Sequence, residues 1–276
     1  MLLSILIPGK NDQFRKNSHK TLQFNLEQIV SNIKTLGVDD IELVLCDWGS
    51  DTKIIDDVCV DKDKNFKCVY VPAVVAQKYN GNGNYSIVHP INTAFRRSSG
   101  KYVIFWDSDC FVRYQDFVNL YKFVKHMDNT DDMAFYWGSR INLPYETYYN
   151  MINAKELSDY LEVTNAGVHE PLRKEYFEGT SISILMNRHL WEDSTGWFEK
   201  LIYWGWQDIE FHNRLCTKYK YGGDLYGNSI KFYHLCDNFT TVNNSHKFIN
   251  PRLNSTEFKA NPENWGLRDE ILEIIQ

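Results

Sequence analysis

The chain has 276 residues, 43% of them hydrophobic, and a formal net charge of −6. That length bounds it to one large domain or two small ones, with enough apolar sequence for a substantial core. The acidic balance leaves no electrostatic footprint for duplex nucleic acid, and no apolar run reaches the roughly 18 residues expected of a membrane span.

In chain order, Leu2 to Ile7 is an apolar start without the basic lead and small-residue cleavage site of a signal peptide. Ser4 to Ile7 reads as a first strand, closed by Pro8-Gly9. Leu22, Leu26, Ile29, Ile33 and Leu36 then recur at helical spacing, with Gly37 placed to end the helix. Ile41 to Cys46 is a second strand, stopped by Asp47-Trp48-Gly49-Ser50, and Phe66 to Val71 a third, stopped by Pro72. Tyr79 to Tyr85 is a polar, glycine-rich loop without the Gly-Lys-Ser/Thr ending of a phosphate loop. His89 to Ser99 reads as a helix leading into Val103 to Trp106, a short apolar run typical of a strand buried on both faces.

Strand alternating with helix predicts an α/β fold with a mostly parallel sheet covered on both faces. It also places the turns at Pro8, Asp47 and Asp109 on one edge, outside the carboxyl ends of the strands, where such sheets bind ligands. At that edge Asp107-Ser108-Asp109 sets two carboxylates one residue apart. Such a pair can share a divalent cation, or divide between a cation and a hydroxyl. The alternative is an ordinary turn in which Asp109 caps the next helix.

The second half is less regular. Tyr114 to His126 reads as a helix, Met133 to Trp137 and Ser181 to Met186 as strands, and Asp208 to about Lys218 as a helix. Ile230 to His234 is a late strand. The tyrosine-rich stretch from Pro144 to Tyr176 suits an excursion from the sheet. Cys46, Cys59, Cys68, Cys110, Cys216 and Cys236 show no metal spacing, so free thiols and a reducing, cytoplasmic compartment are expected.

Ser4 to Asn11, Glu42 to Ser50, Asn92 to Gly100 and Gly179 to Asp208, taken in this order, resemble glycosyltransferases of the GT-A fold, the Rossmann-like nucleotide-binding architecture of the large family 2. Ser4 to Asn11 resembles the opening strand and Pro-x-x-Asn turn. Glu42 to Ser50 resembles the second strand, except that Trp48 replaces an acid. Asn92 to Gly100 resembles the Asn-x-Gly-x-x-x-Ala-x-Gly helix before the Asp-x-Asp strand, with Ala94 and Ser98 as departures. Gly179 to Asp208 is similar to the acceptor half, with its Trp-Gly-Trp-x-Asp segment, as in galactosyltransferase-like members. The resemblance spans roughly residues 1 to 236.

It implies an inverting, metal-dependent transferase that moves a sugar from a nucleotide diphosphate, UDP first, to a hydroxyl of a glycan acceptor. Asp109 and His234 would ligate Mn2+ or Mg2+, with Asp107 on the cation through water or on the ribose. Pro8, Gly9, Asp47 and Ser108 would line the nucleotide, Asp47 by accepting the imide N–H of the base. Asp208 would be the catalytic base, and Trp204 and Trp206 would face the acceptor sugar. Each has an ordinary alternative: a hydrogen-bonded structural histidine for His234, an Asx turn for Asp47, a helix cap for Asp208 and core packing for the tryptophans. His246 and His212 stand in for His234, and Glu210 or Glu178 for Asp208. Arg96 and Arg97 are expected as surface charges. The expected division is a nucleotide-sugar half over residues 1–112, an acceptor half over 113–236 and a tail over 237–276. The competing functions are a nucleotidyltransferase that forms nucleotide-sugars, and a non-catalytic carbohydrate-binding protein on a degenerate fold of this type.

Overall fold

A computed structural model of the chain describes residues 1–11, 18–57, 65–83, 85–143, 168–170, 183–203, 205–235, 249–251, 253 and 260–275. The elements run β1 (Leu3–Gly9), α1 (Ser18–Leu36), β2 (Ile41–Trp48), α2 (Ile54–Asp57), β3 (Phe66–Val71), α3 (Ala73–Asn80), α4 (Val88–Arg97), β4 (Tyr102–Trp106) and β5 (Cys110–Phe111). They continue with α5 (Tyr114–Thr130), β6 (Phe135–Gly138), β7 (Arg140–Leu143), β8 (Val168–Glu170), β9 (Ser183–Asn187), α6 (Arg188–Asp193), α7 (Gln207–Cys216), β10 (Tyr221–Asp224), β11 (Phe232–Leu235) and β12 (Glu273–Ile275).

β1 lies at the centre because both its faces are apolar and both are covered. Its residues are buried throughout, and it pairs in parallel with β2 on one side and β4 on the other. Leu3, Ile5 and Ile7 point to the side of α1, where Leu22, Leu26, Ile29 and Ile33 meet them. Leu6 points to the opposite side, toward Ile91, Ala94 and Phe95 of α4. The side-chain period of two thus divides the core into two layers. Pairing with β4 stops at Leu6↔Phe105 while pairing with β2 runs on to Gly9↔Asp47. By Pro8 the strand therefore has a single neighbour, which accommodates a residue with no N–H.

The large sheet has the order β10-β6-β9-β4-β1-β2-β3-β12, in which β9 and β12 run against the rest. This is the expected α/β sandwich with a mostly parallel sheet. A second sheet, β5-β11-β7-β8, begins where β4 and β6 leave the carboxyl edge of the first. At the opposite edge, Glu42 of β2 gathers Ser4 Oγ (2.6 Å), Lys67 Nζ (2.7 Å), Gly100 N–H (3.2 Å) and Ser99. Burial alone would raise its carboxyl; these donors outweigh it and hold the pKa below the usual value.

α2, α3, α6, β5, β7, β8, β10 and β12 were not expected from sequence. The strands among them have two to four residues, too few for a period to show. Arg96 and Arg97 are also not plain surface charges. The Arg96 guanidinium stacks 3.7 Å over Trp265, and Arg97 donates to the carbonyls of Gly266 (2.6 Å), Leu267 (2.6 Å) and Glu270 (3.1 Å). A returning tail segment leaves carbonyls needing donors, and a guanidinium carries five N–H groups to supply them. The expected excursion over 144–176 lies outside the described residues apart from 168–170, as do Cys59 and Cys236. Cys46, Cys68, Cys110 and Cys216 are free thiols.

Candidate active site

Parallel register brings the ends of β1, β2 and β4 to one edge. Gly9 sits there against α1 and α2: a Cβ would come within 2.9 Å of both Ile54 and Leu22. Opposite it, Asp47 is fully buried. Its carboxylate accepts the Ile54 N–H at 2.9 Å and the Ser50 hydroxyl, and Ser50 Oγ accepts the Asn11 N–H at 2.6 Å. Burial raises the Asp47 pKa, opposed by those bonds. With Gly49 at φ +72° and its N–H on the Val71 carbonyl at 2.9 Å, the Asp47 bonds tie the β1 and β2 ends to the start of α2. Beside it a cavity is lined by Asn11, Leu22, Ile54 and Asp57. Trp48 turns the other way. It is fully buried, stacks on His89 with centroids 5.6 Å apart and donates to Asn80 Oδ1 at 2.8 Å. It belongs to the core and not to the rim.

The Asp107-Ser108-Asp109 turn is fixed from α1. Asn25 Nδ2 donates to the carbonyls of Asp107 and Ser108, both at 3.2 Å. Asp107 Oδ1 accepts the Ser108 N–H at 2.9 Å. β11 pairs with β5 on one side, His234↔Cys110, and with β7 on the other, His234↔Asn142. That register places His234 Nε2 3.4 Å from Asp109 Oδ2 and His234 Nδ1 2.9 Å from Asn142 Oδ1. With Nδ1–H donating to Asn142, Nε2 keeps its lone pair toward Asp109, and two electron-pair donors then face one space. One carboxylate and one imidazole suit a divalent cation that completes its shell with phosphate oxygens and water. The two residues thus fit such an ion. Among the described residues no group of three or more His, Cys, Asp or Glu side chains converges, so the structure does not join Asp107 to the pair. His212 does not substitute for His234. It lies edge-on to Trp137 at 4.6 Å, and burial pushes its pKa down to about 4. His246 lies outside the described residues.

Asp208 stands in the first turn of α7. Two consecutive left-handed residues, Gly205 (φ +78°) and Trp206 (φ +69°), swing the chain into that helix. Trp206 occupies the cap position, so Asp208 is not the helix cap. The conformation of Trp206 is sterically unfavourable for a bulky residue. It is held from the tail: Asn250 accepts the Tyr203 N–H at 2.9 Å and donates to the Gly205 carbonyl at 2.8 Å. Burial pushes the Asp208 carboxyl up to about 6, opposed by the backbone N–H groups of Ile209 and Asp208 and by the charge of Arg140. The Arg140 charge also bears on Cys110, next to Asp109. Glu210 is committed elsewhere, bonded to Arg214 at 2.7 and 3.1 Å. Trp206 is partly buried, while Trp204 and Glu178 lie outside the described residues.

Sequence reasoning missed Asn25, Arg140, Asn142 and Asn250. The one available signal was the alternation Arg140-Ile141-Asn142-Leu143, a half-buried strand whose polar residues share a face.

Residues 15–227 match the family described as glycosyltransferase like family 2. Among solved structures, S. aureus TarS 1–349 in complex with UDP-GlcNAc is similar at 15% identity and TM-score 0.51, over 88% of this chain and 61% of that one. The same protein in complex with UDP is similar at 16% identity and TM-score 0.47, over 77% and 54%. A Drosophila β-1,4-galactosyltransferase 7, in complex with manganese, UDP-Gal and xylobiose, is similar at 12% identity and TM-score 0.46, over 96% and 83%. The chain spans little more than half the length of the TarS 1–349 structures. At these identities the likeness is one of fold. No curated protein matches the chain.

Proposed function

The chain belongs to the glycosyltransferase like family 2 and has its GT-A fold, and from that premise we propose that it is an inverting transferase. It moves a sugar from a nucleotide diphosphate, UDP first, to a hydroxyl of a glycan acceptor. The observation that carries this reading is Asp208. Burial raises its carboxyl to about 6, and it stands in the first turn of α7, just past the left-handed Gly205 and Trp206. A general base works best when its pKa lies near the working pH.

The donor diphosphate lies along the carboxyl edge, past Gly9, Asp47 and Ser108. Asp109 and His234 would hold Mn2+ or Mg2+, and Asp107 would hold the ribose or reach the cation through water. A divalent cation bound there would supply positive charge to the departing diphosphate. The acceptor hydroxyl gives its proton to Asp208 as its oxygen bonds the anomeric carbon, and the bond to the diphosphate oxygen breaks on the opposite face. Trp206, with Trp204, offers aromatic surface to the acceptor sugar. On this reading residues 1–112 form the donor half, 113–236 the acceptor half and 237–276 a tail that braces both. The compartment is the cytoplasm, in keeping with the buried free thiols of Cys46, Cys68 and Cys110. Incubation with a panel of UDP-sugars and Mn2+ tests the reading. Slow release of UDP supports a transferase, whereas binding without turnover would favour the carbohydrate-binding alternative.

A further inference from the structure

We propose that Asn142 is a positioning residue that sets the tautomer of His234 and so the affinity of the Asp109–His234 pair for a divalent cation. The inference rests on the metal-dependent reading above. Parallel pairing of β11 with β7 places the two residues side by side, with Asn142 Oδ1 2.9 Å from His234 Nδ1. The neighbours Ile141 and Leu143 are buried on the other face of β7 and hold its backbone in place.

A neutral imidazole carries one proton on either of two nitrogens. With the proton on Nδ1, the Asn142 carbonyl oxygen accepts it. Nε2 then presents a lone pair beside Asp109 Oδ2, 3.4 Å away, an arrangement that a cation completes. With the proton on Nε2, the imidazole donates to Asp109 and closes that space. The Asn142 carboxamide must then turn over and offer an N–H to Nδ1. In the rotamer present, with Oδ1 toward Nδ1, asparagine accepts from Nδ1–H as aspartate would, and leucine of similar size accepts nothing. Partners behind a ligating histidine typically change metal affinity by roughly 10- to 100-fold.

The test is calorimetric titration of Mn2+ into the full chain with UDP present, for the parent, Asn142→Leu, Asn142→Asp, His234→Ala and Asp109→Ala. Asn142→Leu is expected to weaken Mn2+ by roughly 10- to 100-fold, and Asn142→Asp to match or exceed the parent. Asn142→Ala takes the place of Asn142→Leu if the latter does not fold. An added charge could tighten binding by itself, so the tautomer is read directly from the 15N shifts of the imidazoles in the metal-free chain with UDP. His234 is assigned there by its loss in His234→Ala. The parent and Asn142→Asp should show Nδ1–H, and Asn142→Leu should lose that preference. Parent-like affinity and tautomer in Asn142→Leu, with Mn2+ lost in His234→Ala and Asp109→Ala, would overturn the role of Asn142 alone. Parent-like Mn2+ binding in both of those ligand variants would overturn the metal reading and this inference with it.

Discussion

Replacing Asp208 by asparagine should separate catalysis from stability. The folded carboxyl titrates near 6 because burial penalises its charge, against about 3.9 in an unfolded chain. The folded state therefore holds the proton more tightly. The stability this group contributes is fully present below about pH 4 and lost as pH rises through 6. About two units at 1.36 kcal/mol each put the cost of the ionised carboxylate near 3 kcal/mol above pH 6. Solvent at the partly exposed side chain, and loss of the favourable first-turn charge, reduce the expected gain to the order of 1–3 kcal/mol. The introduced carboxamide never ionises, so Asp208→Asn should melt higher than the parent, by roughly 2 °C per kcal/mol. The difference should grow from pH 5 to 6 and level off by pH 8. Transfer should move the other way. In the parent, kcat/KM should fall about tenfold per unit below pH 6, and the variant should lose roughly 10²- to 10⁴-fold at neutral pH. Thermal melts across pH and a coupled assay of UDP release check both arms. A variant that melts lower at pH 8 would make Asp208 a stabilising first-turn carboxylate, and near-parent transfer would refute it as the base.

Asp109→Ala should abolish Mn2+-dependent binding of UDP with little change in melting temperature, since a strand-end carboxylate contributes little packing; calorimetry decides, and unchanged affinity removes the metal assignment. UDP should protect the parent against heat more than CDP does, because cytosine lacks the imide N–H that Asp47 would accept on the proposed reading; equal protection would take the nucleobase away from Asp47. Gly100→Ala should destabilise the fold by about 1–3 kcal/mol in urea unfolding, because its Cβ would lie 2.5 Å from the Ser4 backbone nitrogen, where no flexible side chain can yield.

What the sequence determined by itself is the donor half of the sheet. Continuous apolar runs in β1, β2 and β4, and the helical spacing of Leu22 to Ile33, are local patterns, and local patterns survive without knowledge of neighbours. Parallel strands then had to deliver Gly9, Asp47 and Asp109 to one edge, because the direction of each strand follows from its connection. The partners of those residues were settled only in three dimensions. Trp48, beside Asp47, read as a residue that packs on the base or fills the crevice rim, and its stacking on His89 across the α4 layer made it core. Asp208 read as a base with a helix cap as its ordinary alternative, and the left-handed Gly205 and Trp206 put the cap at Trp206 instead. That turn is braced by Asn250, 45 residues away from Gly205 in the chain. His234 and Asp109 meet because β11 is inserted between β5 and β7, and the same register supplies Asn142. Apart from the four-residue alternation of β7, the strands of that small sheet are too short to declare a period, and a one-residue slip in their pairing would turn His234 to the opposite face. The residue types of the site are therefore written in the sequence, while their company depends on strand register, which only the packed sheet fixes.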